Sequence, residues 1–249
     1  MTNSDRPDRK AQNRVESFAT TRWTVVLTAG RSDSTHARDA LAELCQTYWY
    51  PLYAYVRRRG YPAPDAEDLT QEFFVRLIQK RKLADLTHEG GRFRSFLLTA
   101  MNHFLVDEWK RGEAQKRGEH RVVSLDAPTA ESRYLRELAD TLTPEKIYEQ
   151  SWALALLDTV FLRLQQEYQR AGKAGLFADL KPCLTGERSA LPYAELAARL
   201  QMPENTMKVT VHRLRQRYRA LLREEVAHTV SSPGEIESEL RDLFRALAS

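Results

Sequence analysis

LPYAELAARLQMPENTMKVTVHRLRQRYRALLREE, residues 191–225, is the stretch whose reading decides the fold. Ala194, Leu196, Ala197 and Leu200 place small and apolar groups on one side of a short helix. QMPE at 201–204 reads as a turn, after which Asn205 or Thr206 is placed to cap a second helix. Met207, Val211, Leu214 and Tyr218 follow at spacings of four, three and four, a single buried stripe. Two short helices, a tight turn and a small alanine at their crossing spell a helix-turn-helix. Gly is common where Gln201 stands, so this turn asks a non-glycine residue to take a positive φ, at a cost of about 1 kcal/mol.

The second helix is electrostatically one-sided. Between 205 and 223 lie six cations (Lys208, Arg213, Arg215, Arg217, Arg219, Arg223) and no acidic residue, in a chain with 34 Asp and Glu. Such a helix can enter a major groove, its first turns meeting base edges and its later arginines, Arg215 and Arg217 among them, holding phosphates. The bland alternative is a solvated basic helix in a helical hairpin.

Working outward, the whole chain reads as all-α: few stretches alternate with period two, and 249 residues include only 10 Gly. Apolar residues make up 42% and charged residues 29%, a globular composition. No apolar run nears the roughly 20 residues that span a bilayer, so no membrane insertion is expected. Cys45 and Cys183 stand alone, without metal spacing, and read as buried small hydrophobes in a reducing cytoplasm. The net charge of +4 is weak evidence for a nucleic-acid partner; its distribution matters more.

FRSFLLTAMNHFLVDEWKR at 93–111 is a strong helix, with Phe93, Phe96, Leu97, Met101, Phe104 and Leu105 as its core stripe. Asn102, His103, Trp109, Lys110 and Arg111 are left for another face, with Lys116 and Arg117 just beyond. Aromatics interleaved with cations suit single-stranded nucleic acid, although most helical aromatics are core. His103 and Asp107 stand at i, i+4 beside Glu108, but no second ligand cluster supports a metal, and none is expected.

PDAEDLTQEFFVRL at 64–77 is an acidic helix in a basic chain. Asp65 can cap it, and Leu69, Phe73 and Leu77 recur every four residues as core. Asp68, Gln71, Glu72 and Val75 share another face, which by default is solvated.

Taken together, DAEDLTQEFF, then FRSFLLTAMNHFLVDEWKR, then a linker, then a helix-turn-helix ending VHRLRQRYRALL, resemble bacterial RNA polymerase sigma factors, specifically the small two-domain extracytoplasmic-function (ECF) group. The resemblance covers about 37–117 and 145–225. It implies that Asp68, Gln71 and Glu72 dock on the β′ clamp helices of core RNA polymerase with Phe74 packed behind them. It also implies that Asn102, His103, Asp107, Trp109, Lys110, Arg111, Lys116 and Arg117 lie at or beside the melted minus-ten strand. The minus-thirty-five element would be read by Asn205, Thr206, Lys208, Val209, His212 and Arg213, with Arg215 and Arg217 behind. The β flap, promoter DNA and an anti-sigma factor complete the implied partners; no cofactor is implied, and the place of work is the cytoplasm. The family usually has Asn where His103 stands, and often Gly and Arg at the places of Asn205 and Thr210.

The expected organisation is a variable N-terminus (1–22), a region 2-like domain (23–115), a linker (116–144) with a short helix near 131–138, a region 4-like domain (145–228) with an irregular insertion (171–192), and an amphipathic extension (229–249). In the extension, Ile236, Leu240, Leu243, Phe244 and Leu247 form a stripe that either packs on the second domain or covers a functional face. An interruption is expected near Pro51 in the helix at 37–59. The competing function is a helix-turn-helix regulator that binds duplex DNA without polymerase, which leaves the acidic helix unexplained. An enzyme has no support: there is no P-loop, GxSxG or HExxH.

Overall fold

The structure, a computed structural model, describes residues 35–79, 92–114, 127–137, 142–185 and 192–248. The variable N-terminus, the Gly90–Gly91 break and the whole 115–126 stretch, with Lys116 and Arg117, lie outside these residues. The described chain is all α: α1 (Thr35–Arg58), α2 (Ala63–Gln79), α3 (Phe93–Ala114), α4 (Ala127–Glu137), α5 (Pro144–Arg170), α6 (Ala174–Leu180), α7 (Pro182–Thr185), α8 (Tyr193–Arg199), α9 (Glu204–Ala227) and α10 (Ile236–Leu247). A single 3-10 turn at Pro233–Glu235 leads into α10. No helix among the described residues is long and apolar enough to cross a membrane.

The chain divides into two compact units, Met1–Ala155 with Val226–Ser249, and Leu156–Glu225. The first unit therefore includes the start of α5 and the extension at 229–249, segments expected with or after the second domain. Its core explains why. Tyr48, Leu52, Tyr55 and Val56 of α1, Phe93, Leu97 and Met101 of α3, and Tyr148 and Trp152 of α5 are all buried. The polar ends of these aromatics are satisfied internally: Trp152 Nε1 donates to Tyr48 Oη at 3.0 Å, and Tyr148 Oη donates to the Arg94 carbonyl at 2.9 Å. The Tyr48 ring meets Phe93 edge-on at 4.9 Å. Burial pushes the Tyr48 phenol pKa far up, so it stays neutral.

α1 runs unbroken through Pro51, against expectation. A proline costs the helix one hydrogen bond and a clash with the preceding turn, about 3 kcal/mol. The run from Leu52 to Val56 is buried without interruption, and that burial outweighs the local penalty. α1 ends at Arg58, and two residues on Gly60 turns the chain with a φ of 97° that only glycine adopts without strain. α2 then starts at Ala63, with Ala66 N donating to the Pro62 carbonyl, so Asp65 sits inside the first turn instead of capping it. Phe73 and Phe74 are buried, whereas Leu69 and Leu77, expected as core, are only partly covered.

The segment read as a linker holds α4, which packs on α1. Glu131 takes two hydrogen bonds from Arg57, at 2.9 and 2.7 Å, and a third from Tyr53 Oη at 2.5 Å. Arg57 lies over the Tyr134 ring and Arg133 over Tyr50. Apolar periodicity does not reveal this docking: among residues 130–135 of α4 only Ala130 and Tyr134 are buried, and charge and stacking do the rest.

The extension is anchored to α3. Phe93 N donates to the Thr229 carbonyl at 2.9 Å. Glu239, fully buried, accepts from Arg94 Nε at 2.8 Å through Oε1. Arg92 Nε lies 2.9 Å from its Oε2 but off the hydrogen-bonding angle, so that oxygen has a charge neighbour and no hydrogen bond. Asp242 pairs with both arginines. The buried face of α10 is Ile236, Glu239, Leu243 and Ala246; Leu240 and Leu247 are half-covered and Phe244 faces outward.

In the second unit, Leu156, Val160 and Leu164 of α5 and Met207, Val211, Leu214 and Leu221 of α9 are buried, and the two helices are joined by the Arg163–Glu225 and Arg217–Glu167 ion pairs. Within the insertion the described residues, 171–185, are largely helical, not irregular. Gly172, with φ 69°, closes α5 with a Schellman pair: Lys173 N donates to the Tyr168 carbonyl and Gly172 N to that of Gln169. α6 and α7 follow, with Phe177, Leu180 and Cys183 buried; Phe177 contacts the Phe161 and Tyr168 rings. Glycines and prolines mark the ends of these short helices, which is why composition alone suggested loop.

Candidate nucleic-acid and polymerase interface

On α2, Asp68 and Gln71 are partly covered, Glu72 is exposed, and Val75 beside them is 49% exposed. Phe74 is buried behind this face, its ring 5.3 Å from Phe73. Phe73 in turn meets Phe104 of α3 edge-on at 5.7 Å, so a row of aromatic rings lies behind the patch.

One side chain here was missed from sequence. Arg76 bonds Glu72 on its own helix and reaches Glu108 of α3 at 2.6 Å, with its guanidinium over the Phe104 ring. Glu108 also accepts from Arg111 at 2.5 Å. The Glu72–Arg76 spacing of four was readable; the bridge to Glu108 needed the packing of two helices. Thus Glu72 and Arg111, assigned to different surfaces, belong to one charge network spanning both.

On α3 the core stripe holds, with Phe96 only half-buried. His103, Asp107, Lys110 and Arg111 are exposed, and Trp109 is 60% exposed. An indole left in solvent beside cations is available for stacking. Asn102 differs: its Oδ1 accepts from Tyr55 Oη at 2.6 Å and lies 3.4 Å from Arg59 NH1, so its carbonyl is already engaged by α1.

In the second unit, α8 ends in another Schellman pair. Met202 N donates to the Ala197 carbonyl and Gln201 N to that of Ala198, with Gln201 at φ 53°. This is the positive φ the sequence required of a non-glycine residue. α9 begins at Glu204, and Met207 N donates to the Pro203 carbonyl. Asn205 and Thr206 therefore lie in the first turn and do not cap it. Ala194 is exposed, while Leu196 and Ala197 form the buried side of α8.

Asn205, Thr206, Lys208, Val209, His212 and Arg213 are all exposed along the first half of α9. Lys208 pairs with Glu204 at 2.7 Å, an exposed pair that costs little to exchange. Arg213 forms no ion pair with a described residue. Farther along, the cations are committed. Arg217 holds Glu167 through two hydrogen bonds, at 2.9 and 2.6 Å, and reaches Glu224. Its guanidinium keeps the Glu167 carboxyl below the usual range. Arg215 donates twice to the Cys183 carbonyl. The acid-free run from 205 to 223 is thus partly neutralised by carboxylates and carbonyls from neighbouring elements.

Residues 44–115 match the family Sigma-70 region 2. The chain is 27% identical, over 190 residues, to the ECF RNA polymerase sigma factor SigE of Mycolicibacterium smegmatis (strain ATCC 700084 / mc(2)155). That alignment covers 76% of this chain and 64% of the relative, so the chain spans somewhat under two thirds of its length. No solved structure matches. The matched region holds α2 and α3, where the acidic patch and the exposed Trp109 lie, so the sigma-70 region 2 likeness rests on residues 44–115, and the likeness to an ECF sigma factor on the 190-residue alignment.

Proposed function

We propose that this protein is a dissociable transcription initiation factor without catalysis of its own, which binds core RNA polymerase and gives it promoter specificity. The observation that carries this reading is the α2 face inside the sigma-70 region 2 match. There Asp68, Gln71 and Glu72 surround the exposed Val75 and are backed by the buried Phe74. A basic chain meets its protein partner through this acidic face and leaves its cationic faces for DNA.

In this reading α2 docks on the β′ clamp helices, and the second unit makes a further contact with the β flap. His103, Asp107, Trp109, Lys110 and Arg111 lie along the minus-ten strand, with Lys116 and Arg117 following. Unpairing costs a few kcal/mol per base, which stacking on an exposed indole offsets at about 1–3 kcal/mol per base. Asn102 is better suited to positioning α3 than to holding a base, because its carbonyl is bound by Tyr55. α8 and α9 act as a helix-turn-helix, with Asn205, Thr206, Lys208, Val209, His212 and Arg213 toward the minus-thirty-five element. Arg215 and Arg217 serve this reading indirectly, by fixing α9 against the insertion and α5. An anti-sigma factor is a further candidate partner.

The test is capture of purified bacterial core RNA polymerase by the protein, wild type beside Asp68→Lys. Capture by the wild type and its loss in a folded variant is the expected result. Equal capture by both refutes the docking face. Capture by neither, with binding to duplex DNA alone, favours the polymerase-independent regulator.

A further inference from the structure

A cavity of about 560 Å³ opens in the second unit, between the end of α5, the insertion, and the α8–α9 turn with α9. That volume is in the range of small-molecule sites. Its walls combine apolar and cationic groups in a way the proposed function does not use. Tyr168 comes from the last turn of α5, Leu176 from α6, Met202 from the turn, and Lys173 and Arg213 bring two cationic heads. The cavity depends on α6, so it is a consequence of the helical part of the insertion.

Its charge balance is the informative feature. The only carboxylate in the lining is Glu167, and both its oxygens are taken by Arg217. Lys173 and Arg213 form no ion pair with a described residue, and the Tyr168 hydroxyl has no hydrogen-bond partner among the described residues. Two uncompensated cations and a spare hydroxyl donor therefore face an apolar wall of Leu176 and Met202. The two cationic heads attract an anion and repel a cation, and the apolar wall favours a ligand with a hydrocarbon body.

We propose that this cavity binds a small apolar or aromatic carboxylate, its anionic head between Lys173 and Arg213 and its hydrocarbon body against Leu176 and Met202. The site does not depend on the promoter reading. Should that reading also hold, ligand and DNA compete for Arg213, and occupancy lowers affinity for the upstream element.

The test is calorimetric titration of the full chain with 2-naphthoate, with the neutral 2-naphthamide as control. For a ligand of this size a Kd near or below about 1 mM is expected. The amide should bind at least about tenfold more weakly, since it lacks the charge that pairs the two cations. Lys173→Ala and Arg213→Ala should each weaken naphthoate by several-fold, and Leu176→Glu, which puts an anion in the wall, should abolish it. Circular dichroism on each variant confirms that the helices persist; all but Leu176 are exposed positions, and Leu176 is only half-buried. No saturable binding, equal affinity for acid and amide, or affinity unchanged in folded variants would each overturn the proposal. DNA binding measured without naphthoate tests the promoter reading separately.

Discussion

Replacing Glu239 by Ala should destabilise the first unit by about 3 kcal/mol. Glu239 is 0% exposed, with Arg94 Nε at 2.8 Å and Arg92 Nε at 2.9 Å. Breaking a buried pair by removing one partner typically costs 3–5 kcal/mol, because an uncompensated charge stays behind. Here the low end applies: Asp242 remains 3.0 Å from Arg94 and also pairs with Arg92, and Glu149 lies 3.2 Å from Arg94. For a unit of this size a loss of about 3 kcal/mol lowers Tm by about 6–12 °C. Glu239→Gln should cost less than Ala, since an amide oxygen can still accept from Arg94. The assay is urea and thermal unfolding of the full chain followed by circular dichroism, with near-ultraviolet signals of the buried Trp152 reporting on the first unit. A lowered midpoint at unchanged m value is expected. A loss below about 1 kcal/mol would refute the reasoning and show that the cluster is solvated or that α10 is not held on α3.

The same packing predicts that deleting 229–249 exposes Phe93 and Tyr48 and lowers the stability of the first unit more than any single substitution in α10. Unchanged unfolding of the truncated chain would show instead that the extension is a detachable cover. Gln201→Gly relieves a left-handed backbone at φ 53° and should stabilise the second unit by up to about 1 kcal/mol, read as a raised urea midpoint. If the proposed promoter contact is right, Arg213→Ala should reduce the salt slope of DNA binding by about one, whereas Arg217→Ala should leave it unchanged, because that guanidinium is held by Glu167 and Glu224. Arg57 holds the Glu131 carboxyl below its ordinary value. The stability this adds is therefore complete above the unfolded pKa of about 4.5 and is lost as pH falls through the depressed value. Glu239 works in the opposite sense, since burial raises its pKa and its contribution declines as pH rises above the ordinary value. Glu131→Gln should accordingly flatten the acid limb of the stability profile, and an unaltered limb would count against the Arg57–Glu131 contact.

Much of this protein was legible before any coordinates. Periodicity located every long helix, because each carries a continuous apolar stripe whose burial is local to the helix and independent of its partner. The stripe of α9, the core positions of α3 and the positive φ demanded of Gln201 all follow from spacing and turn stereochemistry. The acidic face of α2 was equally visible, since Asp68, Gln71, Glu72 and Val75 share a face by arithmetic alone.

Tertiary structure decided what is held by single polar contacts between residues distant in sequence. Nothing within the sequence of α4 says that Glu131 will meet Arg57 and Tyr53, 74 and 78 residues away, so the segment reads as a linker until α1 is placed beside it. Nothing in α10 distinguishes Glu239 from a solvated carboxylate until Arg92 and Arg94, some 145 residues earlier, surround it. The excess charge of α9 likewise shrinks when Glu167 and the Cys183 carbonyl arrive from other elements. An apolar stripe declares that it will be buried; a charge declares nothing until its counter-charge is in place, because its Coulomb energy depends on a distance that only the folded chain fixes.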